Sequence, residues 1–126
     1  MQNNTFNRIH NSKNPYQTNI KKVLCLCSAG LLRGPTAANV LHRTYGYNTR
    51  SAGVTDAFAL ILADDVLYNW ADEIVTVEDS VARHIPEAFL DKVTVLNVPD
   101  MFTYMAPELQ EIILKQYKEV DDAHLS

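Results

Sequence analysis

Several things are scarce in this sequence. It has only two cysteines, Cys25 and Cys27, four glycines and one tryptophan among 126 residues. No apolar run approaches the ~20 residues that would span a bilayer as a helix. No apolar stretch near the start reads as a secretory signal, which predicts a non-secreted, cytoplasmic protein. Two cysteines in such a chain predict free thiols. Set two apart on a strand, their Cα atoms would stand roughly 6.5–7 Å apart, at or beyond the reach of a disulfide. Basic residues are also few after position 22. Residues 1–22 hold Arg8, Lys13, Lys21 and Lys22 and no acid, which leaves seven basic against fifteen acidic residues in the remainder. So acidic a body argues against a nucleic-acid partner, because a phosphate backbone needs a basic face. A phosphate site here would be a local positive spot, suited to a small or peptide-borne phosphate.

Hydrophobic residues make up 47% of the chain, enough for one ordinary core. Residues 1–20 are rich in Asn, Gln, Thr and Ser without hydrophobic period. They predict a flexible polar and basic N-terminal arm, and 21–126 a single domain. Within the domain, strand signals alternate with helix signals. Strands are predicted at about 22–27, 48–52, 74–77 and 93–98. Pro35 opens a helix to about Tyr45, which Gly46 ends. Asp56 is the candidate N-cap of a helix running to Trp70. Glu78 to His84 reads as a short helix stopped by Pro86, and Pro107 opens a last helix to about Glu119. This order predicts an α/β fold of three layers: a four-stranded parallel sheet flanked by helices on both faces.

The chemistry concentrates in Cys27-Ser28-Ala29-Gly30-Leu31-Leu32-Arg33, between the first strand and the Gly34-Pro35-Thr36-Ala37 helix start. A strand, a tight loop and a helix N-terminus turn backbone N–H groups toward an anion. A cysteine at the mouth of that loop is a nucleophile whose thiolate the helix field and Arg33 favour. Arg33 is a two-pronged phosphate clamp. Residues 28–33 would form the cradle, with Gly30 free to take positive φ. The pattern proposes a cysteine-dependent phosphatase. Hydrolysis also needs a proton for the leaving oxygen. Asp100, after the fourth strand, reaches the same sheet edge as Cys27, and is the candidate acid. Glu78 and Asp79 compete for that role or cap the short helix. Phe102 and Tyr104 could flank an aromatic leaving group. The scheme calls for no cofactor and no metal.

At these residues the chain resembles the low-molecular-weight protein tyrosine phosphatase family. The likeness rests on Val23-Leu24-Cys25-Leu26-Cys27, the five-residue gap to Arg33, Pro35-Thr36-Ala37, Ser51-Ala52-Gly53, Trp70 to Val77, and Val98-Pro99-Asp100. It spans roughly 22–118. Tyr104-Met105-Ala106-Pro107-Glu108-Leu109 resembles a run of a short bacterial branch. The resemblance implies Cys27 as nucleophile, Arg33 as clamp and Asp100 as general acid, acting on a phosphorylated protein or a small phosphomonoester, with no membrane partner. Four departures stand out, one of them Asp100-Met101 where the family has Asp-Pro. Gly34 occupies the place of a family serine whose hydroxyl bonds the thiolate. Gly30 replaces a loop asparagine. The stretch from Gly53 to Asp72 is short, which trims the substrate rim. Two other readings share the loop: a sugar-phosphotransferase IIB-like phosphocarrier, against which Arg33 speaks, and an arsenate reductase, which would need further cysteines. A catalytically weak phosphate- or phosphoprotein-binding module is the reading that Gly34 keeps open.

Overall fold

The computed structural model describes residues 20–28, 33–55, 61–99 and 105–125, with side chains up to 121. The predicted arm, except Ile20, lies outside them. The elements are β1 (Lys22–Cys27), α1 (Arg33–Tyr45), β2 (Asn48–Gly53), α2 (Asp65–Trp70), β3 (Glu73–Thr76), α3 (Asp79–Ala82), a 3₁₀ segment (Glu87–Lys92), β4 (Val93–Val95) and α4 (Pro107–Leu125). The four strands form one sheet in the order β2-β1-β3-β4, every pair parallel. β1 lies in the interior of the sheet, and Val23 through Cys27 are all buried. That is why the strand reads as a continuous apolar run and not as an alternation.

Chain order and spatial order diverge after β2. The chain steps outward from β1 to β2, then crosses back to β3 on the far side of β1. Right-handed crossovers therefore put the helices on opposite faces of the sheet. α1 packs on β1, β2 and α4. Its small Ala37 and Ala38 bring it close to the sheet, and Val40 and Leu41 complete the buried stripe. On α4, Leu109, Ile113 and Tyr117 recur at a spacing of four and are buried, which gives the helix one core face. Each such aliphatic side chain contributes about 1.5–3 kcal/mol.

The element boundaries correct the expectations in several places. α1 begins at Arg33, two residues before Pro35, and Gly46 ends it at φ 74°, where its N–H bonds the His42 carbonyl. The helix after β2 is short. Residues 61–64 are non-helical, and Leu62 bridges Gly53 in parallel, extending the β2 edge. The N-cap is Asp64, whose carboxylate accepts from Leu67 N–H at 3.1 Å. Asp56 lies outside the described residues. α3 spans only 79–82, β4 ends at Val95, and a 3₁₀ segment stands where no element was expected. Past β4, Leu96 N–H and Val98 N–H still bond Thr76 and Val77 carbonyls. α4 runs six residues beyond Glu119. Among the described residues no helix is long and apolar enough to cross a membrane.

Candidate active site

The site sits at the carboxyl ends of β1, β3 and β4. β2 and β3 lie on opposite sides of β1, and in open parallel sheets the carboxyl end at such a change of strand order is the usual ligand position. Cys27 is the last residue of β1 and is 4% exposed. Side chains alternate along a strand, so Cys25 and Cys27 share the α1 face while Leu24 and Leu26 take the other. Both cysteines are free thiols, as expected. Cys25 is fully enclosed, and burial pushes its thiol up from the ordinary range, with Glu73 and Cys27 adding to the effect. Disfavouring the thiolate makes a thiol a poor nucleophile.

Ser28 follows, exposed, and its carbonyl is pinned from the neighbouring strand: Val54 N–H and Thr55 N–H donate to it at 3.0 and 2.8 Å. The mouth of the loop is thus fixed by the exit of β2. Ala29, Gly30, Leu31 and Leu32 lie outside the described residues. The chain re-enters as α1 at Arg33 and Gly34, both buried. A Cβ placed on Gly34 would stand 3.1 Å from Cys27 Sγ, 3.3 Å from the Cys25 carbonyl oxygen and 3.5 Å from Cys27 N. The first turn of α1 therefore rests directly against the sulfur, with the helix N-terminus and its partial positive charge beside it.

Arg33 has a side-chain exposure of only 6%. Nη1 donates to the Val98 carbonyl at 2.9 Å, and Nη2 donates to Glu78 Oε1 at 2.6 Å. One contact comes from three residues past the end of β4 and the other from two residues past the end of β3. A guanidinium held at two corners has a fixed plane, which is what bidentate recognition of a phosphate requires. Glu78 is itself oriented by Ser80, whose hydroxyl donates to Oε2 at 2.8 Å. The Ser80 hydroxyl and Arg33 hold the Glu78 carboxyl below its usual 4.5. This redefines Glu78. It stands at the N-cap position of α3 but makes no side-chain cap there, and its carboxylate serves Arg33. Asp79 pairs with Arg83 on the exposed surface at 3.0 Å. Neither is placed as a proton donor. Asp100, Phe102 and Tyr104 lie outside the described residues.

Two further residues belong to the site that the motif did not flag. Thr36 is fully buried in the first turn of α1, and its Oγ1 accepts from Met105 N–H at 3.2 Å. Met105 adopts φ 59°. The signal for Thr36 was available, three residues after Arg33 on one face of a helix; the conformation of Met105 had no sequence signal.

No protein-family model and no curated protein sequence matches the chain. Solved structures do match. The phosphate complex of the tyrosine phosphatase Wzb from Escherichia coli K30 superposes with a TM-score of 0.64 at 15% identity, covering 82% of this chain and 98% of the other. SP-PTP, a low-molecular-weight protein tyrosine phosphatase from Streptococcus pyogenes, gives 0.67 at 15% identity over 85% and 95%. The fold is that of the low-molecular-weight protein tyrosine phosphatases. The YwlE arginine phosphatase from Geobacillus stearothermophilus shares it, with 0.60 at 18% identity over 83% and 96%. Within this phosphatase fold, Cys27, Arg33, Glu78 and Val98 meet at one sheet edge.

Proposed function

We propose that this chain is a cysteine-dependent phosphatase that hydrolyses phosphate monoesters, of the phosphotyrosine type, through a cysteinyl-phosphate intermediate. The observation that carries the reading is the placement of Cys27 and Arg33 at the two ends of one loop, with the guanidinium fixed by Val98 and Glu78. Cys27 as thiolate attacks phosphorus, so that an S–P bond forms as the ester P–O bond breaks. Asp100 gives its proton to the leaving oxygen. Water then attacks the phosphorus, the S–P bond breaks, and Asp100 takes up the proton. Backbone N–H groups of 28–33 and the Arg33 fork hold the equatorial oxygens, where charge develops. Phe102 and Tyr104 flank the leaving group. Solved neighbours support this order of parts: one is described as a phosphate complex and another as a YwlE arginine phosphatase mutant with a phosphorylated active-site serine. The substrate is a phosphorylated protein or a small phosphomonoester, and the two free thiols fit the reducing cytoplasm.

One observation favours a second reading. Residue 34, where a Cβ would stand 3.1 Å from the sulfur, is a glycine with no hydroxyl to donate, which fits a module that binds phosphate and turns over slowly or not at all. The deciding assay is p-nitrophenyl phosphate hydrolysis by the unaltered chain and by Cys27→Ser, Arg33→Ala and Asp100→Ala. Each variant is expected to lose at least ~10²-fold, and vanadate to inhibit. Vanadate binding without turnover would instead establish the binding module.

A further inference from the structure

Arg33 Nη1 donates to the Val98 carbonyl at 2.9 Å, and Val98 lies three residues past the end of β4. A carbonyl beyond a strand end orients a guanidinium only if the chain there is itself held. Two elements hold it. On the inner side, Leu96 N–H bonds the Thr76 carbonyl at 2.8 Å and Val98 N–H bonds the Val77 carbonyl at 2.9 Å. Asn97 stands between them and, by the alternation of an extended chain, turns its backbone groups the other way. β4 is an edge of the sheet, and Gln116 of α4 meets the chain on that outer side. Its Oε1 accepts from Asn97 N–H at 2.6 Å, and its Nε2 donates to the Asn97 carbonyl at 2.7 Å. One side-chain amide thus answers both backbone groups of one residue, as a hydrogen-bonded partner on a neighbouring antiparallel strand would. Gln116 is half-buried, and the helix that carries it is anchored around it. Ile113 and Tyr117 are buried, and the Tyr117 hydroxyl donates to Glu73 Oε1 at 2.7 Å.

From this arrangement we infer that Gln116 is a positioning residue for the Arg33 guanidinium. The inference rests on the phosphatase reading above. Bonds to both the N–H and the carbonyl of Asn97 fix the rotation of that residue about the chain axis, and the direction of the next carbonyl follows from it. Without the clamp, the chain past Val95 is held by β3 from one side, and the Val98 carbonyl is free to swing. Glu78 would still hold Nη2, while Nη1 would lose its fixed acceptor. Bidentate recognition of phosphate depends on the guanidinium plane, and small misplacements of a clamp cost transition-state stabilisation steeply. Gln116 therefore acts on the phosphate through Asn97, Val98 and Arg33 in turn.

The test reads kcat/KM on p-nitrophenyl phosphate and the inhibition constant of vanadate. Gln116→Met keeps the length of the side chain and removes both hydrogen bonds. It is expected to lower kcat/KM about tenfold and to weaken vanadate by a comparable factor. The urea midpoint should stay close to the parent's, since Asn97 is exposed and water can replace the amide. Gln116→Glu keeps an acceptor for the Asn97 N–H but sets an oxygen against the Asn97 carbonyl. It should lose about as much as Gln116→Met, and it guards against a packing defect peculiar to methionine. Glu73→Gln is the control for α4: it disturbs the partner of Tyr117, one residue on, and should leave both constants unchanged. In an Arg33→Lys background the Gln116→Met loss should vanish, because an ammonium has no plane to set. A merely structural role would cost the same in both backgrounds. Parent-like constants in both Gln116 variants, or an undiminished loss beside Arg33→Lys, would overturn the positioning role and leave the phosphatase reading standing. Absence of turnover in the unaltered chain would overturn that reading, and vanadate affinity would still report Gln116 through Arg33. Absence of vanadate binding as well would overturn both.

Discussion

Gly34 and Cys27 touch across the start of α1: a single carbon added to Gly34 would stand 3.1 Å from Sγ, closer than such carbons usually approach. A side chain at residue 34 would therefore start within contact distance of the sulfur. In the proposed mechanism, what residue 34 carries is a direct lever on the thiolate as nucleophile and as leaving group.

Gly34→Ser and Gly34→Ala share the crowded Cβ and differ only in the hydroxyl. A hydrogen bond to a charged group contributes about 1.5–3 kcal/mol, equivalent to roughly tenfold or more in rate. Gly34→Ser is expected to exceed Gly34→Ala in kcat on p-nitrophenyl phosphate by about tenfold or more. Equal kcat values for the two would show that the sulfur gains nothing from a donor at this position. Both variants should be less stable than the parent by about 1–3 kcal/mol, measured by urea unfolding, because the Cys25 carbonyl at 3.3 Å cannot retreat from β1.

Glu78→Gln removes the charge that anchors Arg33 while keeping the shape. Glu78 is partly exposed, with a side-chain exposure of 37%, so little stability is at stake. In the proposed mechanism catalysis depends on the guanidinium plane, and kcat/KM is expected to fall about 10- to 100-fold with an unchanged urea midpoint. The parent's Glu78 carboxyl lies below 4.5 because Ser80 and Arg33 both favour its charged form, so the anchor is intact throughout neutral pH. A fall in midpoint without a fall in rate would reverse this assignment.

At the opposite edge of the sheet, Glu73 accepts from Lys21 at 2.9 Å, from Tyr117 at 2.7 Å and from the Thr94 hydroxyl. Burial alone would raise its carboxyl, but these three donors outweigh it and hold the group below 4.5. A depressed carboxylate stabilises the fold fully above its unfolded value and loses that contribution as pH falls through the folded value. Glu73→Gln is expected to cost about 2 kcal/mol at pH 7, with the gap to the parent narrowing below about 4.5. Phosphatase activity at neutral pH should persist in this variant, since Glu73 stands at the amino end of β3, away from Cys27. Urea titrations of both proteins at pH 7 and pH 3.5 decide it; a gap that does not change with pH removes Glu73 as the titrating group.

Thr76 at the end of β3 is fully buried, and its hydroxyl has no hydrogen-bond partner among the described residues. Register with Leu26 puts it on the sheet face away from Cys27. Thr76→Val replaces an unsatisfied hydroxyl by a methyl of similar size. It is expected to stabilise by about 1 kcal/mol, seen as a higher urea midpoint with an unchanged slope. A lower midpoint would mean that the hydroxyl is satisfied by water.

Much of the fold was legible because its signals are local. Val23 to Cys27 and Ile74 to Val77 are apolar runs that only a two-sided burial explains, and Gly46 and Pro107 mark helix ends by backbone chemistry. The second helix was misplaced because Asp56 and Asp64 are equally good caps by composition, and the β-bridge from Leu62 to Gly53 is a long-range contact with no local trace. α4 was cut short for a related reason: past Glu119 the sequence turns polar and its periodicity fades.

The sequence by itself determined the alternation of strands and helices, hence the parallel sheet, and put a cysteine and an arginine at the ends of one loop. Those follow from local periodicity and from residue spacing, which the chain carries directly. Only the tertiary structure decided what Glu78 does, since its partner is Arg33, forty-five positions away. It alone showed that Val98 and Met105, seven positions apart, both return to the first turn of α1. And it alone set Gly34 against the sulfur of Cys27. These relationships exist only when β1, β3 and β4 lie side by side, because the hydrogen bonds that define them join residues no local pattern connects.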